Sequence, residues 1–248
     1  MRLTLLGSGD ARQVPVYNCA CAACDSARVY PSRRRGPCCA LIECGSQRWL
    51  IDSGLTDLGE RFPPHSLSGI LQTHYHADHA QGLLQLRWGQ GLVIPVHGPD
   101  DPEGLADLYK HPGILDFGQP FAAFERRRLG ELAVTALPLN HSKPTFGYLF
   151  EGRRRIAYLT DTLGVPQASC QLLSQAPLEL LVLDCSSAPQ PQAPRNHNDL
   201  TRALEVIEHL RPREAVLTHI GHSFDAWLLD NPDALPAGVS LAYDGRVL

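Results

Sequence analysis

The sequence predicts an α/β protein in which two layers of β-sheet are flanked by helices, and three observations lead there. Short apolar strands and hairpins alternate with helical runs through both halves of the chain, which builds sheets with helices against their outer faces. Histidines and aspartates collect where apolar strands give way to loops. No linker divides the 248 residues, so a single domain over 1–248 is expected.

The length allows a substantial core, and 44% hydrophobic with 19% charged residues is ordinary for a globular enzyme. No run of 18 apolar residues occurs, which excludes a helical membrane span and leaves no membrane partner. The start, Met1 to Gly9, has a single basic residue and reads as a first strand ending in Gly7-Ser8-Gly9, not as a signal peptide, so a cytoplasmic location is expected. In a reducing compartment, eight cysteines point to metal thiolates before disulfides. A net charge of −4 argues against a nucleic-acid partner. The arginine triplets Arg33–Arg35, Arg126–Arg128 and Arg153–Arg155 read as solvated connections.

After the first strand, Cys19-Ala20-Cys21-Ala22-Ala23-Cys24 forms a C-x-C-x-x-C knuckle. It can hold three corners of a tetrahedral zinc, the fourth ligand arriving from elsewhere. Cys38, Cys39, Cys44, Cys170 and Cys185 lack that spacing and read as small core residues. Ala40–Cys44 and Arg48–Asp52 read as a hairpin, with Asp52 either supporting a metal ligand or capping the next turn. The strand-like Gly69–Leu71 then delivers Thr73-His74-Tyr75-His76-Ala77-Asp78-His79. Three imidazoles and a carboxylate so close together are costly to bury unless a cation takes their lone pairs. On extended backbone His74 and His76 face the same way, while Asp78 and His79 open the helical run Asp78 to Trp88 and can face a second ion.

Val93–His97 is a short strand and Pro102 to Tyr109 a short helix. Strand Leu132–Leu137 delivers His141, a candidate ligand. The hairpin Gly147–Phe150 with Arg155–Thr160 ends in Asp161, which either bridges two cations or caps a helix over Pro166 to Ser174. Strand Leu178–Leu183 leads to Asp184 and an irregular proline-rich stretch, Ala188 to Pro194. His197 ends that stretch as a candidate proton donor, before the helix Leu200–Leu210. Finally strand Glu214–Thr218 carries His219, which can complete the metal site, and His222, which can close the cysteine knuckle. His65, His97, His111 and His209 have no such context and read as structural or exposed.

From His74 to His79, and on through His141, Asp161 and His219 in matching order, the chain resembles the metallo-β-lactamase superfamily. Within it the chain looks most like the PhnP family of phosphodiesterases of the carbon–phosphorus lyase pathway. The segments that carry this are Leu71–His79, Lys110–Phe117, Pro138–Lys143, Ala193–His197 and Leu217–Leu228. The resemblance implies an αββα four-layer sandwich with a binuclear centre between the sheet edges. It implies hydrolysis of 5-phosphoribosyl 1,2-cyclic phosphate to ribose 1,5-bisphosphate in phosphonate catabolism, with manganese favoured and zinc or iron as alternatives, in a homodimer. Carried over, His74, His76 and His141 hold one ion, Asp78, His79 and His219 the other, and Asp161 bridges. Cys19, Cys21, Cys24 and His222 hold a structural zinc. His197 is the general acid, counted with Asp78 among the catalytic residues, and Lys143 or Arg195 can pair with a second substrate phosphate. The competing readings are a tRNA 3′-processing endonuclease, a PqqB-like protein of cofactor biosynthesis, and a non-catalytic metal-binding module.

Overall fold

In the computed structural model, which describes residues 1–105, 107–192 and 194–248, the chain forms two mixed sheets. The first contains β1 (Arg2–Gly7), β2 (Cys39–Cys44), β3 (Gln47–Ile51), β4 (Gly69–Leu71), β5 (Ile94–His97) and β6 (Leu115–Asp116), in that order. The second contains β7 (Arg126–Leu129), β8 (Leu132–Pro138), β9 (Phe146–Glu151), β10 (Arg155–Leu159), β11 (Leu180–Asp184), β12 (Glu214–Thr218) and β13 (Val239–Leu241), again side by side in chain order. Each sheet begins with antiparallel pairing and finishes with parallel pairing. The helices are α1 (Ala22–Val29), α2 (Leu58–Arg61), α3 (Ala77–Ala80), α4 (Leu83–Leu86), α5 (Gln167–Leu173), α6 (Leu200–Leu210) and α7 (His222–Asp230).

Alternation along the strands decides which face each residue buries. On β9, Tyr148 and Phe150 enter the core between the sheets, where they meet Leu3, Ile42 and Ile51, while Leu149 faces outward. Outward residues Leu149, Ala157, Leu181 and Leu217 pack against Leu173, Leu200 and Phe224 of α5, α6 and α7. On the other side Leu50, Ile70 and Val96 pack against Leu58, Ala80 and Leu83 of α2, α3 and α4. The result is the αββα sandwich. No helix of the described residues is long and apolar enough to cross a membrane.

Several local expectations are corrected. Arg126–Arg128 does not connect elements: it lies in the edge strand β7, paired to β8 through the backbone, with Arg126 and Arg128 exposed. Arg35 is buried and pairs with Asp225 at 2.6 Å. The expected helix Pro102 to Tyr109 includes Ala106, outside the described residues, and the flanking residues form bends and turns. The run Asp78 to Trp88 breaks into α3 and α4 around Gln81 and Gly82.

Topology places the candidate site. Because β8 and β10 both run antiparallel to β9, they end at the same edge, where β11 and β12, parallel to β10, also end. Strand C-terminal edges are where open sheets expose loops able to gather ligands. Gly54 lets the first sheet contribute, since a Cβ there would overlap the carbonyl oxygen of Asp78. Replacing Gly54 with Ala is therefore expected to destabilise the protein by about 1–3 kcal/mol through overpacking. Chemical denaturation measures this; an unchanged midpoint would contradict the close approach.

Candidate metal centre

Four strands of the two sheets deliver the site. His74, His76, Asp78 and His79 follow β4, His141 follows β8, Asp161 follows β10, and His219 follows β12. Their ligand atoms converge in two groups, one of His74, His76, His141 and Asp161, the other of Asp78, His79, Asp161 and His219. His76 Nδ1 lies 2.9 Å from His74 Nε2 and 3.0 Å from His141 Nε2. Asp161 belongs to both groups: Oδ2 is 3.2 Å from His79 Nε2 and 3.6 Å from His74 Nε2, and Oδ1 is 3.4 Å from His219 Nε2.

The surrounding hydrogen bonds orient these rings. Asp52, fully buried, accepts from the Thr73 amide at 2.7 Å and from His79 Nδ1 at 2.8 Å. Thr73 Oγ1 donates to Asp52 and so accepts from His74 Nδ1 at 3.0 Å. His141 Nδ1 donates to the Asn196 carbonyl at 3.1 Å. His219 Nδ1 donates to Ser186 Oγ at 2.9 Å, which donates to Asp184 Oδ1 at 3.0 Å. With each Nδ1 proton committed outward, the Nε2 lone pairs of His74, His79, His141 and His219 point inward. His79 Nε2 and His219 Nε2 are buried with no hydrogen-bond partner. Lone pairs packed this way repel one another unless protons or cations lie between them.

The electrostatics agree. Burial opposes the charged forms, yet Asp161 and Asp52 draw the His79 pKa well above its usual value. Burial likewise opposes ionisation of Asp161, but His219 and His79 hold its pKa well below the carboxylate range. Asp161 and Asp78 likewise raise His219 against burial, whereas burial lowers His74, His76 and His141, so protons compete with a cation at His79 and His219 and not at the other three, and the donor set fits a pair of divalent ions. Asp52 and His219 both adopt left-handed backbone, φ +60° in each case, a conformation unfavourable for residues with a Cβ.

A second cluster joins Cys19, Cys21 and Cys24 to His222. His222 Nδ1 lies 3.5, 3.5 and 3.7 Å from the three sulfurs. A tetrahedron with zinc–sulfur bonds near 2.3 Å and a zinc–nitrogen bond near 2.0–2.1 Å has such edges of about 3.6 Å. Burial, with the neighbouring thiols, pushes the Cys24 thiol up to about 11, so a cation is the partner that would let it ionise.

His197 stands beside the first cluster, its ring stacked on His219 at 4.7 Å and edge-on to His141 at 5.2 Å. Its Nδ1 donates to Asp184 Oδ2 at 2.9 Å. Burial lowers its pKa, but Asp184 outweighs burial and brings it up to about 9. Lys143 Nζ pairs with Asp101 at 3.1 Å, and Arg195 is exposed. Asp161 does not cap α5, whose N-cap is Pro166. Asp184, given no role from sequence, is the carboxylate on which His197 and His219 both depend. Its signal was its place at the end of a buried strand, the same place as Asp161.

Comparison with known proteins accords with this architecture. Residues 47–220 match the family described as Beta-lactamase superfamily domain, and the chain belongs to the metallo-β-lactamase superfamily. More particularly, it is similar to the crystal structure of a diphosphatase from the PhnP family, at 29% identity and TM-score 0.82, over 100% of this chain and 96% of that one. It is also 26% identical over 263 residues to an octanoyltransferase of Porphyromonas gingivalis, covering 99% of this chain and 51% of that one. With ribonuclease Z of Thermobifida fusca it shares 32% identity over 132 residues, 48% of this chain and 39% of that one. The chain thus spans about half the length, or less, of these curated relatives.

Because protons and cations compete for the same lone pairs, cation uptake is expected to release protons and to weaken as pH falls. Calorimetric titration of the stripped protein in buffers of different ionisation enthalpy measures this. A heat of binding independent of the buffer would contradict it.

Proposed function

We propose that the protein is a binuclear-metal cyclic phosphodiesterase that opens 5-phosphoribosyl 1,2-cyclic phosphate to ribose 1,5-bisphosphate in phosphonate breakdown. Hydrolase chemistry follows from membership of the superfamily. The finer reading draws on the similarity to the PhnP-family diphosphatase and on one observation, the Asp184–His197 pair beside the ligand groups. Two divalent ions at such a site acidify a water and stabilise the attacking and departing oxygens. His74, His76 and His141 would hold one, Asp78, His79 and His219 the other, and Asp161 both. Manganese is the favoured resident, and Cys19, Cys21, Cys24 and His222 would hold one zinc.

In the reaction, a water oxygen bonds to phosphorus and the bond from phosphorus to the sugar 2-oxygen breaks, leaving the phosphate on carbon 1. The departing oxygen needs a proton. His197 would supply it from Nε2, since Asp184 accepts from Nδ1 and raises the ring's pKa. Asp184 thereby orients the ring. A homodimer and a cytoplasmic location complete the reading, the latter supported by eight free cysteines.

His197→Ala is expected to retain its metal but to lose about 10²–10⁴ in turnover on the cyclic sugar phosphate. On an aryl phosphodiester with an activated leaving group, the loss should be about tenfold or less, because little proton donation is needed. Steady-state kinetics on both substrates decides it: equal losses would contradict the proton-donor role. Turnover of precursor tRNA in preference to the cyclic phosphate would instead favour the ribonuclease reading.

A further inference from the structure

We propose that the cysteine knuckle positions His219, and through it the half of the metal centre formed by Asp78, His79 and His219. The inference rests on the binuclear reading above and deepens it. His219 and His222 lie on one short turn, so a ligand of each metal cluster is carried by the same stretch of backbone. His219 is held at φ +60°, an unfavourable conformation for a residue with a Cβ, which persists only if its surroundings enforce it.

The enforcing contacts come from the N-terminal segment. The Ile220 amide donates to the Ser8 carbonyl at 2.8 Å, and the Asp10 amide donates to the Ile220 carbonyl at 3.2 Å. On the other side the Gly221 amide donates to the Ser186 carbonyl at 3.2 Å, where a Cβ on Gly221 would lie 2.7 Å from that oxygen. The turn is therefore clamped between residues 8–10 and Ser186, whose hydroxyl also receives His219 Nδ1.

Residues 8–10 are buried at the end of β1, but the segment that follows them and carries the knuckle cysteines has little core of its own. Its local cluster of buried apolar residues is Val14, Cys24 and Ala27. So small a cluster needs a cross-link to hold a fixed position. Cys21 precedes the first residue of α1 and His222 is the first residue of α7, so the knuckle joins the N-termini of two packed helices. His74, His76 and His141, by contrast, ride on loops after β4 and β8 that carry no knuckle ligand. Loss of the knuckle should loosen one half of the centre and spare the other.

The test compares full-length wild type, Cys21→Ser, Cys21→His and His219→Ala after zinc and manganese loading, read by zinc content and manganese spin resonance. Wild type should show a spin-coupled manganese pair. Cys21→Ser should lose zinc and show the isolated-ion signal of His219→Ala, with the second ion bound at least about tenfold more weakly. Cys21→His, which can keep four zinc ligands, should restore the pair. A zinc-free Cys21→Ser protein that keeps the coupled pair at wild-type affinity would overturn the coupling alone; a wild type that binds no pair would overturn the binuclear reading and the coupling with it. If Cys21→Ser does not fold, hydrogen exchange of stripped His219→Ala with and without one equivalent of zinc reads the same clamp. Zinc should slow the Ile220 and Gly221 amides by at least about tenfold, and unchanged rates would overturn the proposal.

Discussion

Inward-pointing lone pairs around one buried carboxylate are the constraint on which the rest of the structure turns. Asp161 sits within 3.2–3.7 Å of nitrogen atoms from His74, His79, His141 and His219. The Nδ1 protons that could have relieved this crowding are spent on Thr73, Asp52, Asn196 and Ser186. An arrangement that turns its donors outward and its acceptors inward is built for positive charge at its centre. Both sheets contribute because both end their parallel strands near this point.

The supporting residues convert that constraint into chemistry. Asp52 is buried among donors from Gln72, Thr73 and His79, so it fixes the tautomer of one ligand directly and of another through a hydroxyl. Asp184 does the same for His219 through Ser186, and its other oxygen accepts from His197 Nδ1. One carboxylate thus links the proposed proton donor to a proposed metal ligand, so disturbance of either is felt by the other.

How much was legible in the sequence follows from how local each feature is. The His74–His79 run and the cysteine knuckle carry their signal within a few residues, and short apolar runs such as β8 and β12 could be read to within a residue or two. Asp52 and Asp161 were ambiguous because a carboxylate at a strand end caps a turn as readily as it serves a metal; burial and partners separate the two, and neither is a property of sequence. Asp184 was invisible as a functional group because its partners His197 and His219 reach it only through the fold. Arg126–Arg128 misled for another reason: an edge strand pairs through its backbone and can present charge to water, so composition says little about it. The arginines contribute here as strand, not as loop.

The most direct measurement is anomalous diffraction at the manganese edge from crystals of the manganese-loaded protein. Two peaks are expected to flank Asp161, one within bonding distance of His74, His76 and His141, the other of Asp78, His79 and His219. A single peak, or none beside Asp161, would contradict this expectation.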